Sequence, residues 1–134
     1  MDKLLSGCRI LVVEDEMLML TLLEDILADA GCESVTGAAT IDQAVALIDG
    51  QAFDAATLDI KLNGNDSYPV ADALTARAIP FVFATGNSVH DRMDGYRDRA
   101  VLRKPFTGEQ LIEMLTRLIC RRSHGNSRSD SATN

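Results

Sequence analysis

Three observations predict a single α/β domain built on a parallel sheet with helices on both faces. Short continuous apolar runs alternate with longer stretches whose apolar residues recur at helical spacing, and the alternation repeats five times in 134 residues. The runs are not themselves alternating apolar and polar, which is the mark of strands covered on both sides. The composition, 46% hydrophobic but only 4% aromatic, specifies an aliphatic core large enough for one ordinary domain. Strict strand–helix alternation then implies right-handed crossovers and a doubly wound sheet.

Arg9-Ile10-Leu11-Val12-Val13 is the first strand, too short for a helix, and it ends in Glu14-Asp15-Glu16. From Met17 to Ala30 the residues Leu20, Leu23, Ile26, Leu27 and Ala30 form a helical stripe, and Gly31 supplies the stop. Ser34-Val35 begin a weak second strand. Thr40-Ile41-Asp42-Gln43 is a capping-box pattern that opens a helix with Ile41, Ala44, Val45 and Ile48 inward, closing at Gly50. Phe53 to Ile60 is the third strand, and the loop Asn63-Gly64-Asn65-Asp66-Ser67 leads to a helix from Pro69, where a first-turn proline has no hydrogen bond to lose. Ile79 to Ala84 is the fourth strand, with Pro80 near its start. Residues 86–100 are polar and carry only a feeble stripe, so a short or mobile helix is expected. Val101-Leu102 is a minimal fifth strand. A second capping box, Thr107-Gly108-Glu109-Gln110, opens the last helix, marked by Leu111, Met114, Leu115, Leu118 and Ile119. The Ser-, Asn- and Gly-bearing stretch 123–134 has no apolar cluster and is expected to be a disordered tail behind a domain spanning 1–122, with no second domain.

The formal net charge is −7, and Arg121-Arg122 at a helix end complement its dipole and form no patch. This charge argues against nucleic acid and against an anionic membrane surface as partners. No apolar run approaches the ~20 residues that span a bilayer, and the N-terminus has no secretory pattern, so a cytoplasmic protein is expected. Cys8, Cys32 and Cys120 show no CxxC spacing and are read as buried small hydrophobes. His90 and His124 are isolated in polar stretches and carry no role.

In open α/β sheets ligands bind beyond the carboxyl ends of the strands. Gathered there are Glu14 and Asp15 after the first strand, Asp59 at the end of the third, Thr85 after the fourth and Lys104 after the fifth. Clustered carboxylates repel unless a cation joins them, and hard oxygen ligands select Mg²⁺. A carboxylate is also a nucleophile toward phosphorus, and such a transfer needs a metal, an ammonium and a hydroxyl around the phosphoryl oxygens. A helix N-terminus enriched in acids, a strand-end Lys-Pro and a Thr-Gly turn each account for one of these features alone; their joint occurrence at four strand ends is what carries the functional reading.

The motifs Val13-Glu14-Asp15-Glu16, Leu58-Asp59-Ile60, Phe83-Ala84-Thr85-Gly86 and Lys104-Pro105-Phe106, in this order, resemble those of response regulator receiver domains of bacterial two-component signalling over about residues 8–121. The Phe-Ala-Thr-Gly stretch and Ser67-Tyr68-Pro69-Val70-Ala71-Asp72 resemble the subfamily named for its FATGUY motif. The resemblance implies a flavodoxin-like (CheY-like) (βα)5 fold with strand order 2-1-3-4-5. It implies that Asp59 is the phosphoacceptor and that Mg²⁺ is held by Asp15, Asp59 and the main-chain carbonyl of Lys61, with Glu14 acting through water. Thr85 would hydrogen-bond the phosphoryl group and Lys104 would pair with it. The implied donor is a histidine kinase or histidine phosphotransfer protein, docking on the first helix; Leu18 and Leu22, one turn apart on the edge of that helix's stripe, are read as core packing, with this docking as the alternative. A downstream protein partner would read the result. The chain would be a stand-alone acceptor that gains and loses its phosphoryl group, not a turnover enzyme.

Two positions depart from the receiver pattern. Val101 stands where receivers carry an aromatic switch residue, so the output is expected to pass through the segment after Thr85. Lys61, two residues beyond the acceptor, could reach the phosphoryl group or crowd attacking water. Two rival readings remain: a hydrolase of the haloacid dehalogenase type, which wants a second acid where Lys61 stands, and a degenerate receiver that only binds, against which Asp15, Asp59, Thr85 and Lys104 speak.

Overall fold

The structure, a computed structural model, describes residues 5–86 and 100–133, with side chains of the last helix described through Arg121. Strands β1 (Arg9–Val13), β2 (Ser34–Ala38), β3 (Ala55–Asp59), β6 (Phe81–Thr85) and β7 (Val101–Arg103) form one parallel five-stranded sheet in the order β2-β1-β3-β6-β7. Between β3 and β6 lie two short strands, β4 (Lys61–Leu62) and β5 (Asn65–Asp66), which pair antiparallel as a separate hairpin. The described helices are α1 (Met17–Asp29), α2 (Ile41–Gly50), α3 (Tyr68–Ala76) and α4 (Gly108–Thr133). Taken over the main sheet alone, this is the expected flavodoxin-like order, second, first, third, fourth, fifth.

The unbroken apolar run of β1 is explained by what lies on each side of it. Leu11 and Val13 pack with Ala44 and Ile48 of α2 and with Val70 and Leu74 of α3. Ile10 and Val12 face the other way, onto Leu20, Leu23 and Leu27 of α1 and Leu111, Leu115 and Leu118 of α4. A pleated strand points successive side chains to opposite faces, so a strand between two helical layers must be apolar at every position.

Both capping boxes form. Thr40 Oγ1 accepts from Gln43 N at 3.0 Å, and Thr107 Oγ1 accepts from Gln110 N at 3.1 Å while Gln110 Oε1 accepts from Thr107 N at 2.8 Å. Strand bounds shift from the expected ones for local reasons. β3 starts at Ala55, after Asp54, whose carboxylate accepts from Arg9 N at 2.7 Å, and β6 starts at Phe81 because Pro80 has no N–H to give the ladder. β2 runs to Ala38, longer than the sequence indicates, and its Gly37 lies under α1, where a Cβ would come within 2.9 Å of Leu20 Cδ1. α4 continues to Thr133, into the stretch read as a tail; among the described side chains, Leu111, Leu115 and Leu118 are the buried ones that pack it on the domain. The helix expected within 86–100 falls, for residues 87–99, outside the described residues. Cys8 and Cys32 are half-buried but Cys120 is exposed, against the expectation that all three are buried. Burial, followed by the neighbouring Cys8, pushes the Cys32 thiol up to about 11, which leaves it protonated at neutral pH.

Candidate functional site

Each residue of the site is placed by the end of a strand. Glu14 extends the β1–β2 ladder by one step, its N–H donating to the Ala38 carbonyl at 2.9 Å, and this fixes the backbone that presents Glu14 and Asp15. Asp59 is the last residue of β3 and lies opposite Ala84 of β6 in the ladder. Thr85 ends β6 and is buried. Lys104 follows β7, its N–H donating to the Thr85 carbonyl at 2.8 Å, and its peptide bond to Pro105 is cis. The four strand ends therefore open into one crevice at the carboxyl edge of the sheet, the place where ligands bind in this architecture.

One carboxylate oxygen from each of Glu14, Asp15 and Asp59 lies within 4.8 Å of the others. The Lys104 ammonium stands between two of them, 2.9 Å from Glu14 Oε1 and 3.3 Å from Asp59 Oδ2. Glu14 also accepts from Glu16 N at 3.1 Å. Burial raises the Asp59 carboxyl to about 6, with the Glu14 charge adding to the rise and Lys104 opposing it. Burial would lower Lys104, but its hydrogen bond to Glu14 and the charges of Asp59 and Glu14 outweigh this and leave it raised. The ammonium is therefore held in its charged form. Three carboxylates against one ammonium leave negative charge without a partner, and the donor set is oxygen only. It fits a hard divalent cation such as Mg²⁺, which takes carboxylate ligands and keeps waters.

All of Glu14, Asp15, Asp59, Thr85 and Lys104 come together at this edge. The Lys61 side chain pairs across the hairpin with Asp66 Oδ1 at 2.9 Å, its register partner. For Leu18 and Leu22 the core-packing reading is overturned. They are 84% and 52% exposed, and Met17 is 64% exposed, because the buried stripe of α1 runs through Leu20, Leu23 and Leu27 and turns these three to solvent. Val101 lies opposite Phe83 and packs partly buried against the α2–α3 side of the core, so it belongs to the packing of that face. Sequence reasoning missed Asn63. Its backbone N–H donates to Asp15 Oδ2 at 2.8 Å and its side-chain Nδ2 donates to the Ala39 carbonyl at 3.1 Å. The signal was present as Asn63-Gly64, the dipeptide favoured in two-residue hairpins, with φ of 52° and 82°.

Comparison with known proteins agrees with this geometry. Residues 10–116 match the family model described as the response regulator receiver domain. The chain is 38% identical over 118 residues to the transcriptional regulatory protein TcrA of Mycobacterium tuberculosis, an alignment covering 84% of this chain and 46% of that one. It spans about half the length of the curated relatives it matches. Among solved structures, SdrG of Sphingomonas melonis is 42% identical with a TM-score of 0.69, over 84% of this chain and 97% of that one. The receiver domain of a sensor histidine kinase of Pseudomonas aeruginosa, which holds a magnesium ion in its active-site cleft, is 30% identical with a TM-score of 0.72, over 85% of this chain and 98% of that one.

Proposed function

The chain belongs to the response regulator receiver family, and we propose that within it Asp59 is a phosphoacceptor for a histidine kinase or histidine phosphotransfer protein. The observation that carries this reading is Asp59 at a strand end with the Lys104 ammonium 3.3 Å away and two further carboxylates in reach. An Asp59 carboxylate oxygen forms the new O–P bond while the P–N bond to the donor histidine breaks. The electron pair goes to the imidazole nitrogen, which is protonated as it leaves, and an acyl phosphate remains. With its carboxyl near 6, Asp59 is mostly ionised at neutral pH and available as the nucleophile. Lys104 then exchanges part of its pairing with Glu14 for the phosphoryl oxygens, and the Thr85 hydroxyl donates to one of them. Asp15, Asp59 and the Lys61 carbonyl are the groups proposed to hold Mg²⁺, with Glu14 acting through water. An ion held there would supply positive charge to the phosphoryl oxygens and relieve the carboxylate repulsion.

Within the same proposal, the exposed Met17, Leu18 and Leu22 of α1 receive the donor's helix, and a downstream protein reads the phosphorylated form. No helix among the described residues is long and apolar enough to cross a membrane; the proposed place of action is the cytoplasm. The proposed domain boundary stays at 122, with 123–134 a tail. The route of output past Val101 is proposed to pass through residues 87–99. The test of the acceptor is direct. Incubated with Mg²⁺ and acetyl phosphate, the chain is expected to gain one phosphate by intact mass spectrometry and Asp59→Asn none. Equal incorporation in that variant overturns the assignment.

A further inference from the structure

Asn63 stands outside the set of acids, lysine and hydroxyl that form the site, yet three loops meet at it. It is the first turn residue of the β4–β5 hairpin, where Lys61 pairs with Asp66 and Leu62 with Asn65. Its φ of 52° lies in the left-handed region that asparagine tolerates better than most residues. Its Nδ2 donates to the Ala39 carbonyl at 3.1 Å, tying the hairpin to the loop after β2. Its backbone N–H donates to Asp15 Oδ2 at 2.8 Å, tying the hairpin to the loop after β1. The side chain thus anchors the turn, and the anchored turn aims a main-chain donor at a carboxylate of the acidic cluster.

A carboxylate with one oxygen held by a fixed N–H has lost its freedom to rotate about χ2, and it presents the other oxygen in a fixed direction. For Asp15 the held atom is Oδ2. The donor is neutral, so it orients the carboxylate without neutralising it. Neighbours that orient a metal ligand through its second polar atom typically contribute 10–100-fold to metal affinity. We propose that Asn63 is a positioning residue of the Mg²⁺ site: its αL turn, pinned to Ala39, holds Asp15 in the orientation that binds the ion. This rests on the reading of Asp15 as a Mg²⁺ ligand given above.

The test uses Mg²⁺ alone, by isothermal titration of wild type, Asp15→Asn and Asn63→Gly, beside the thermal midpoint of each in metal-free buffer. Glycine keeps the left-handed turn and the backbone donor and removes only the anchor to Ala39. The expected result is a rise of about 10-fold in the Mg²⁺ dissociation constant of Asn63→Gly, the lower end of the range because the N–H remains, with an unchanged midpoint. A merely structural role would move the midpoint and leave the affinity of the folded fraction as it was, and that outcome overturns the proposal. A second measurement needs no variant: the Asn63 amide of wild type should be protected from hydrogen exchange with and without Mg²⁺. Exchange at the rate of an open loop in both states overturns it as well. The two readings fail differently. If wild type binds no Mg²⁺, the metal site and the role of Asn63 fall together. If wild type binds and Asp15→Asn weakens binding while Asn63→Gly does not, only the role of Asn63 falls.

Discussion

Ser67 caps α3 by position but not by chemistry. Its backbone N–H donates to the Ile60 carbonyl at 2.8 Å, while its hydroxyl is buried and has no hydrogen-bond partner among the described residues. A serine that caps a helix through its hydroxyl contributes about 1 kcal/mol, and its replacement by alanine costs that much. Here the balance is reversed, because a buried hydroxyl without a partner carries its desolvation cost with no return. Ser67→Ala is therefore expected to leave the unfolding free energy unchanged or to raise it by up to ~1 kcal/mol, as measured by urea denaturation. A loss of a full kilocalorie would show that the hydroxyl makes a bond after all. The same distinction between identity and environment governs Lys61. Its spacing from Asp59 suggests reach into the site, and the structure shows its ammonium on Asp66 at 2.9 Å.

At the scale of elements, α1 is the most informative. Its buried stripe is read correctly from the spacing of Leu20, Leu23 and Leu27, but the same stripe leaves Leu18 and Leu22 outward, 84% and 52% exposed beside the acidic crevice. Single exposed apolar residues are ordinary, and a contiguous apolar patch is what marks a contact surface, so whether these residues form the proposed docking surface is decided by substitution. Replacement of Leu18 and Leu22 by Ala is expected to slow phosphoryl transfer from a phosphohistidine protein by 10-fold or so, equivalent to about 1.4 kcal/mol, while phosphorylation by acetyl phosphate stays as in wild type. Stability should change by less than ~0.5 kcal/mol, since neither side chain is in the core. Equal slowing with both donors would place the fault in the site and not in docking. The β4–β5 hairpin teaches the opposite lesson. Read as a loop, it is in fact a paired element, and its Asn63-Gly64 turn is the piece that touches Asp15.

Over the whole molecule, the acidic crevice couples stability to pH. The folded-state carboxyl of Asp59 is raised from 3.8 to about 6, chiefly by burial and then by Glu14. Between those values the folded chain holds a proton that the unfolded chain has released, so in metal-free buffer stability falls as pH rises through this window and levels off above it. A rise of that size corresponds to at most roughly 3 kcal/mol, less once the counter-charge of Lys104 responds. Asp59→Asn removes the group, so the variant should be more stable than wild type at pH 7 by ~1–3 kcal/mol, with the gap closing toward pH 4. Denaturation of both proteins across this range in the presence of a chelator measures the difference. A gap that does not vary with pH would show that Asp59 is not held in this environment.

Fold class and the five strand-end residues were legible in the sequence because they rest on local rules, whereas the strand order came only with the receiver resemblance. A strand buried on both faces must be apolar throughout, as at Ile10 to Val13, and a helix start needs a cap such as Thr40 or Thr107. A charge in such a run, as at Asp59, has few reasons to be there except chemistry. What the sequence could not decide depends on partners far away along the chain. Asn63 meets Asp15 across 48 residues and Lys104 meets Glu14 across 90, and no spacing rule reports such contacts. Burial of Asp59 next to Glu14, which sets its proton affinity, likewise exists only once β1 and β3 lie side by side in the sheet. The residue types that can do the chemistry are a property of the chain; the distances at which they meet, and the charge states those distances enforce, come from packing two helical layers against one twisted sheet.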